Sequence, residues 1–175
     1  MYPPFSEPIL ATAVKLLKQF DALYVINKQR YYVTGISPAV GRYPEDLYDG
    51  VSGKTGGNPW VLTTAAFANL YYILVARWKE TGVILLLPSI KELALEYFYC
   101  TDKFPDEMSV RSRLGMHLVK NMTRFADGFL KRIQRHTDKD GSLSEQIHRE
   151  TGKKHGAYDL TWSHVEVIRA IEARN

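Results

Sequence analysis

The chain has 175 residues, of which 45% are hydrophobic and 24% charged, and it carries a formal net charge of +4. That composition is globular, enough for one ordinary domain and too short for two large ones. Lysines and arginines are scattered among carboxylates, which argues against nucleic acid as a partner, and the nearest approach to a membrane span, Val83 to Leu87, is far too short. The opening MYPPFSEP lacks the basic start and apolar core of a signal peptide. The single cysteine, Cys100, cannot pair within the chain. Asn121-Met122-Thr123 is a glycosylation sequon if the chain enters a secretory route.

From Glu7 to Tyr24, Leu10, Val14, Leu17, Phe20 and Tyr24 recur at the spacing of one buried helix face. A short strand is expected around Tyr31 to Thr34. Asn58-Pro59 reads as an N-cap followed by proline at the first helical position. The helix behind it runs to about Glu80 with Leu62, Ala66, Leu70, Ile73 and Leu74 on one side, and Gly82 suits its end. Ser89-Ile90-Lys91-Glu92 has the capping-box pattern and opens a helix through Tyr99. The longest helix is expected from Ser109 to about His136, with a stripe of Val110, Leu114, Leu118, Met122, Phe125, Phe129 and Ile133. A last helix starts near Asp159 and carries Val165, Ile168 and Ile171. The fold class is all-α, without internal repeats.

Two long segments interrupt the helices, Gly35 to Asn58 and Thr137 to Tyr158, and loops of that length tend to be functional. Several local patterns within the chain fail. Ser52-Gly53-Lys54-Thr55 resembles the tail of a phosphate-binding loop, but Tyr48 stands where its first glycine is required. Asp138-Lys139-Asp140-Gly141 resembles a calcium loop, yet its terminal ligand positions would be His136 and Ile147, which excludes an EF-hand. The histidines show no metal-ligand spacing, and Gly35-Ile36-Ser37 runs into Pro38, so it is no nucleophile elbow. No metal or cofactor is called for.

The first loop contains Gly41-Arg42-Tyr43-Pro44-Glu45-Asp46-Leu47-Tyr48 and leaves through Gly57-Asn58-Pro59-Trp60. The second contains Asp140-Gly141-Ser142-Leu143-Ser144-Glu145-Gln146 and leaves through Asp159-Leu160-Thr161-Trp162-Ser163. Together and in this order, these segments resemble the glucoamylases, glycoside hydrolase family fifteen. The stretches from Tyr48 to Gly57 and from Thr81 to Asp106 resemble the yeast branch more than the filamentous-fungal one.

The resemblance implies the carboxyl-terminal portion of an (α/α)6 barrel, a single catalytic domain whose N-terminal part is absent from the chain. It implies release of glucose from the non-reducing ends of α-1,4-glucans such as starch and glycogen, with inversion, in an extracellular or vacuolar setting. Inversion needs an acid at the leaving oxygen and a carboxylate activating water on the opposite face, about 6.5–9.5 Å apart. Glu145 matches the base. Taken on spacing alone, Ser142-Leu143-Ser144-Glu145 reads first as a capping box, and the surrounding Asp140-to-Gln146 match reverses that preference. Arg42 matches an arginine that binds sugar hydroxyls, and it could instead simply pair with Glu45 or Asp46. Tyr48 and Trp60 match aromatic subsite residues, and Trp162 one packed beside the base; both tryptophans, near helix starts, also suit a core. Tyr43, Pro44 and Asp46 are expected to shape the loop. Tyr158, where relatives often carry arginine, and His164, in place of tyrosine, depart from the family.

The acid and a glucose-clamping Arg–Asp pair belong to the family's N-terminal half, a possible partner for this chain. The isolated chain is therefore expected to be inactive and poorly stable, with the stripe from Val110 to Ile133 as its exposed surface. The alternative is a non-catalytic glucan-binding or interaction protein derived from such an enzyme.

Overall fold

The computed structural model describes residues 5–29, 31–53, 56–100 and 104–175. Lys54 and Thr55 of the phosphate-loop pattern, and the first four residues of MYPPFSEP, lie outside them.

Helix α1 (Glu7–Leu23) carries Pro8 in its first turn, where the missing N–H is no loss, and buries Leu10, Val14, Leu17 and Phe20. A 3-10 turn (Val25–Asn27) follows. The strand expected near Tyr31 is instead a single helical turn, α2 (Tyr31–Thr34). Its backbone is satisfied locally, with Gly35 N donating to Tyr31 O at 2.6 Å, so no partner strand is needed.

Helix α3 (Val61–Thr81) ends at Gly82 in the left-handed conformation, φ 73°, as its sequence suggests. Its start differs from expectation: Trp60 is the N-cap, two residues after Asn58, and no side chain caps it. Strand β1 (Val83–Leu85) then pairs antiparallel with β2 (Glu107–Ser109), Val83 opposite Ser109. Between them lies α4 (Pro88–Phe98), which opens after Leu87 and not at Ser89. The capping box does not form because its members bind elsewhere. The Ser89 N–H and hydroxyl donate to the Glu7 carboxylate, and Glu92 takes Lys18 at 2.6 Å. Helix α4 ends on Tyr99 at φ 51°, an uncommon backbone for a residue with a side chain.

With Ser109 held in β2, α5 (Arg113–Arg135) starts later than its apolar pattern suggests. Ser112 caps it, Oγ accepting from Gly115 N at 3.0 Å. The last helix is α6 (Thr161–Arg174).

Helix α3 packs against both α5 and α6, and α1 packs against α4. The loop after α1 leads into α3, and the loop after α5 leads into α6. Both loops therefore meet at the end of the layer where α3 and α6 begin. Helices packed out of chain order, α3 with α5 and α6 and α1 with α4, are the arrangement expected of part of an (α/α)6 barrel. Their core is aromatic: Tyr71 stacks on Phe129 at 6.0 Å and meets Phe125 edge-on at 5.4 Å.

One expectation about the surface is overturned. On α5, Leu118, Met122, Phe125, Phe129 and Ile133 are all buried, because α5 lies against α3 and the loop segments. Met116 is open on α5, but a run of exposed apolar residues lies instead on α6, at Val165, Ile168 and Ile171. Among the described residues, no helix is long and apolar enough to cross a membrane.

Candidate active site

The short segment Gly57 to Val61 joins the two long loops. Gly57 N donates to Asp46 O at 2.5 Å, and any Cβ at Gly57 would lie 2.6 Å from Asp46 Cβ. Glycine is therefore required for this approach, and Asp46 is fixed by it. Asp46 in turn holds Arg42 in a two-pronged pair, Nε to Oδ2 and Nη2 to Oδ1, both at 2.7 Å. Burial pushes the Asp46 carboxyl up, but the hydrogen bonds from Arg42 and from the Tyr48 N–H outweigh it and leave the group below its usual range.

The paired reading of Arg42 is thus correct, and it does not remove the guanidinium from the site. Its Cζ lies 5.1 Å from the Tyr48 ring centroid and 5.0 Å from that of Trp60. Tyr48 and Trp60 are themselves 6.2 Å apart. Trp60 is largely buried beneath Arg42, and its Nε1–H has no hydrogen-bond acceptor among the described residues. Asp46 shapes the loop, as expected, and Tyr43 is half-exposed at its edge.

Glu145 is built from the other loop. No helix begins at Ser142, so the capping-box alternative does not describe this segment. Ser142 bonds Asp140, and Ser144 Oγ donates to Gln146 O at 2.7 Å. Glu145 instead precedes a small antiparallel hairpin, β3 (Gln146–Ile147) with β4 (Lys154–His155). The loop expected to be structureless therefore contains a ladder, too short to show alternation in the sequence. Glu145 N donates to Ala157 O at 2.9 Å, and Ala157 N returns a bond to Glu145 Oε2 at 3.1 Å. The carboxylate is half-buried and held from its own backbone outward.

The first loop's exit is bridged to this hairpin. Trp60 pairs with Gln146 as an isolated antiparallel bridge, Ile147 N donates to Pro59 O at 2.8 Å, and Val61 N donates to Glu145 O at 3.2 Å. Arg42, Trp60 and Glu145 thereby share one backbone frame. Trp162 joins through its neighbours: Leu160 N bonds Leu143 O at 2.8 Å and Ser163 Oγ bonds Ser144 O at 2.9 Å. Trp162 is 58% exposed in this chain, as open as Val165, Ile168 and Ile171 on the same helix.

Sequence reasoning missed the residues that join these parts. Asn58, only 3% exposed, donates from Nδ2 to Asp49 O at 3.1 Å and to Gln146 Oε1 at 3.0 Å, while its Oδ1 accepts from Arg149 N at 3.0 Å. Arg149 continues inward to Leu23 O at 3.2 Å and sits over the Tyr24 ring. Lys154 ties the Asp140–Ser142 turn, bonding Ser142, pairing with Asp138 at 3.2 Å and lying 3.7 Å from the Tyr158 ring centroid. The two departures at Tyr158 and His164 are absorbed locally. Tyr158 Oη donates to Asp140 Oδ2 at 2.7 Å, and His164 Nε2 meets Asp159 Oδ1 at 2.6 Å. Among the described residues, no group of three or more His, Cys, Asp or Glu side chains is placed to hold a metal ion.

The arrangement offers a carboxylate, an oriented guanidinium and aromatic faces at one end of a helical layer. Comparison with known proteins agrees with the motifs in the loops. The family model described as glycosyl hydrolases family 15 matches residues 2–172. "Glucoamylase 1" of Rhizopus oryzae is 38% identical over 99% of this chain and 28% of its own length. The "Probable glucoamylase" of Schizosaccharomyces pombe is 36% identical over 97% of this chain and 34% of its own length. Among solved structures, a family 15 glucoamylase from Hypocrea jecorina superposes with a TM-score of 0.84 at 30% identity, covering 98% of this chain and 27% of that one. A glucoamylase from Saccharomycopsis fibuligera gives 0.82 at 31% identity, covering 100% and 37%. The chain thus spans little more than a third, at most, of these relatives' lengths, and it belongs to glycosyl hydrolases family 15.

Proposed function

We propose that the chain supplies the general base and part of the sugar pocket of a glucoamylase-type enzyme, releasing terminal glucose from α-1,4-glucans with inversion. The observation carrying this reading is the common frame of Glu145 and Arg42, joined through residues 57–61. Glu145 would take a proton from the attacking water. Arg42, already oriented by Asp46, would hold vicinal sugar hydroxyls, and the rings of Tyr48, Trp60 and Trp162 would meet the C–H faces of the glucose units. The general acid would come from the remainder of a single catalytic domain. The open Val165, Ile168 and Ile171 face of α6 and the chain's limited share of its relatives' lengths support that division.

The test uses the chain assembled with the complementary portion of the domain. Glu145→Gln keeps the shape and removes the basicity, so kcat should fall about 10²–10⁴-fold with KM little changed. Glucose released by the parent should appear first as the β-anomer in an NMR time course. Turnover of the variant within a fewfold of the parent, or release of the α-anomer, overturns the assignment. The chain alone should release no glucose from maltose.

A further inference from the structure

We propose that the chain has a second saccharide-binding site, distinct from the Glu145 site, in a tyrosine-lined cavity where the ends of α1 and α4 meet α2. The cavity holds about 250 Å³, and its walls include Tyr31, Tyr32, Tyr97 and Tyr99. Tyr32 and Tyr99 form its rim, meeting edge-on with centroids 4.6 Å apart, and each is more than half exposed. Tyr99 is presented there by the left-handed backbone that ends α4. Deeper in, Tyr97 Oη donates to Asp21 Oδ2 at 3.1 Å, and Tyr31 packs edge-on against Phe125 at 5.0 Å. Burial pushes the Tyr31 hydroxyl up to about 12, so it remains a neutral donor and acceptor.

The chemistry of the wall selects the ligand class. Asp21 and Glu96 contribute carboxylates, but Asp21 is already bonded to Tyr97, Glu96 lies 3.8 Å from Lys18, and Lys28 adds a cation to the lining. With charges of both signs in the lining, neither a simple anion nor an ammonium ion has a clear advantage. Alternating aromatic surface with hydroxyl, amide, carboxylate and ammonium groups suits a neutral polyol, whose C–H faces meet rings and whose hydroxyls both donate and accept. The cavity also lies at the catalytic end of the layer. Asn27, part of its lining, bonds both the N–H and the C=O of Ala39, three residues before Arg42. A glucan chain held here would be retained beside the Arg42 loop. The choice of an α-glucan over another saccharide rests on the function proposed above.

Tyrosine nitration with tetranitromethane, mapped by mass spectrometry on the unaltered protein, tests the site without relying on variants. Excess maltotriose should slow nitration of Tyr32 and Tyr99 at least about threefold. Protection of half-exposed Tyr43, beside Arg42, reports the candidate active site separately. Protection of Tyr43 alone, or of no tyrosine, overturns the second site; protection of Tyr32 and Tyr99 by cellotriose but not maltotriose overturns the α-glucan assignment. Protection by tetramethylammonium in place of either sugar overturns the saccharide class. As a second arm, Tyr32→Ala with Tyr99→Asn, chosen because asparagine tolerates the left-handed backbone, should weaken maltotriose binding by at least about fivefold. Arg42→Ala should leave this binding event in place, and its loss in Arg42→Ala but not in the tyrosine variant counts against the proposal.

Discussion

Asn58→Ala removes three hydrogen bonds from a side chain that bridges the two loops, to Asp49 O, Gln146 Oε1 and Arg149 N. At roughly 1 kcal/mol net for each, the loss is about 3 kcal/mol, before any penalty for partners left unpaired. Native proteins have only about 5–15 kcal/mol in total, so the urea midpoint should fall by about 1–3 M for a typical slope. Asn58→Asp should be milder. The new carboxylate still accepts from Arg149 N, and the Gln146 amide can turn over. Its nitrogen then donates toward position 58 and to Asp49 O at 3.1 Å, while its oxygen accepts from Gly50 N at 3.2 Å. Urea unfolding followed by far-UV circular dichroism, at matched protein concentration, measures both variants against the parent. A loss below about 1 kcal/mol for Asn58→Ala, or a greater loss for Asn58→Asp than for Asn58→Ala, refutes the clamp.

Three further outcomes follow from the same geometry. Gly156→Ala places a Cβ 2.5 Å from Glu145 Oε2 on a backbone at φ 70°; turnover of the assembled enzyme should drop at least about tenfold, which steady-state kinetics on maltose would detect. Asp46→Asn replaces one acceptor of the Arg42 fork with a donor and should raise KM several-fold while leaving kcat within a fewfold, as initial rates over a range of maltose concentrations would show. His136 Nδ1–H donates to Gly152 O at 2.8 Å, and its Nε2 is buried without a partner among the described residues; burial and then the nearby Arg132 hold it down at about 4. Its folded value lies below the unfolded one of about 6.5, so the unfolded chain binds more protons between them. Stability should accordingly decline as pH falls from about 6.5 toward 4, and His136→Asn, whose amide can reach Gly152 O, should flatten that decline in urea titrations.

The helices were legible because burial on one face forces apolar residues into three-to-four spacing, and α1 and α5 keep that spacing over many turns. Helix α3 was found as a helix but not its face, since Ala66 and Ile73 are exposed while Val61, Ala65, Ala68, Tyr71, Val75 and Trp78 are buried. Strands β1 and β2, at three residues each, have too few positions for a period of two to show. Ser89 and Asn58 illustrate a different limit. Both are residues that favour helix starts, and both spend their hydrogen bonds on groups distant in the chain: Glu7 for Ser89, Gln146 and Arg149 for Asn58. Local preference lost to long-range pairing. The Arg42–Asp46 pair was open to sequence reasoning because it lies within one loop, four residues apart. The exposure of α6 was not, since an apolar stripe records that a face is to be covered and not by what.

Asn58 and Gln146 are 88 positions apart in the chain, as are Ser37 and Phe125, which bond through Ser37 Oγ and the Phe125 carbonyl at 2.6 Å. Closing loops of that length costs entropy before any bond forms, and contacts of large sequence separation slow folding. Single helices can form from local segments early, whereas the frame uniting Arg42 with Glu145 must wait until α3 packs with α5 and α6. The site should thus form late and open early under stress. Partial unfolding should abolish sugar recognition while most helical signal remains, so loss of function would run ahead of loss of structure on heating.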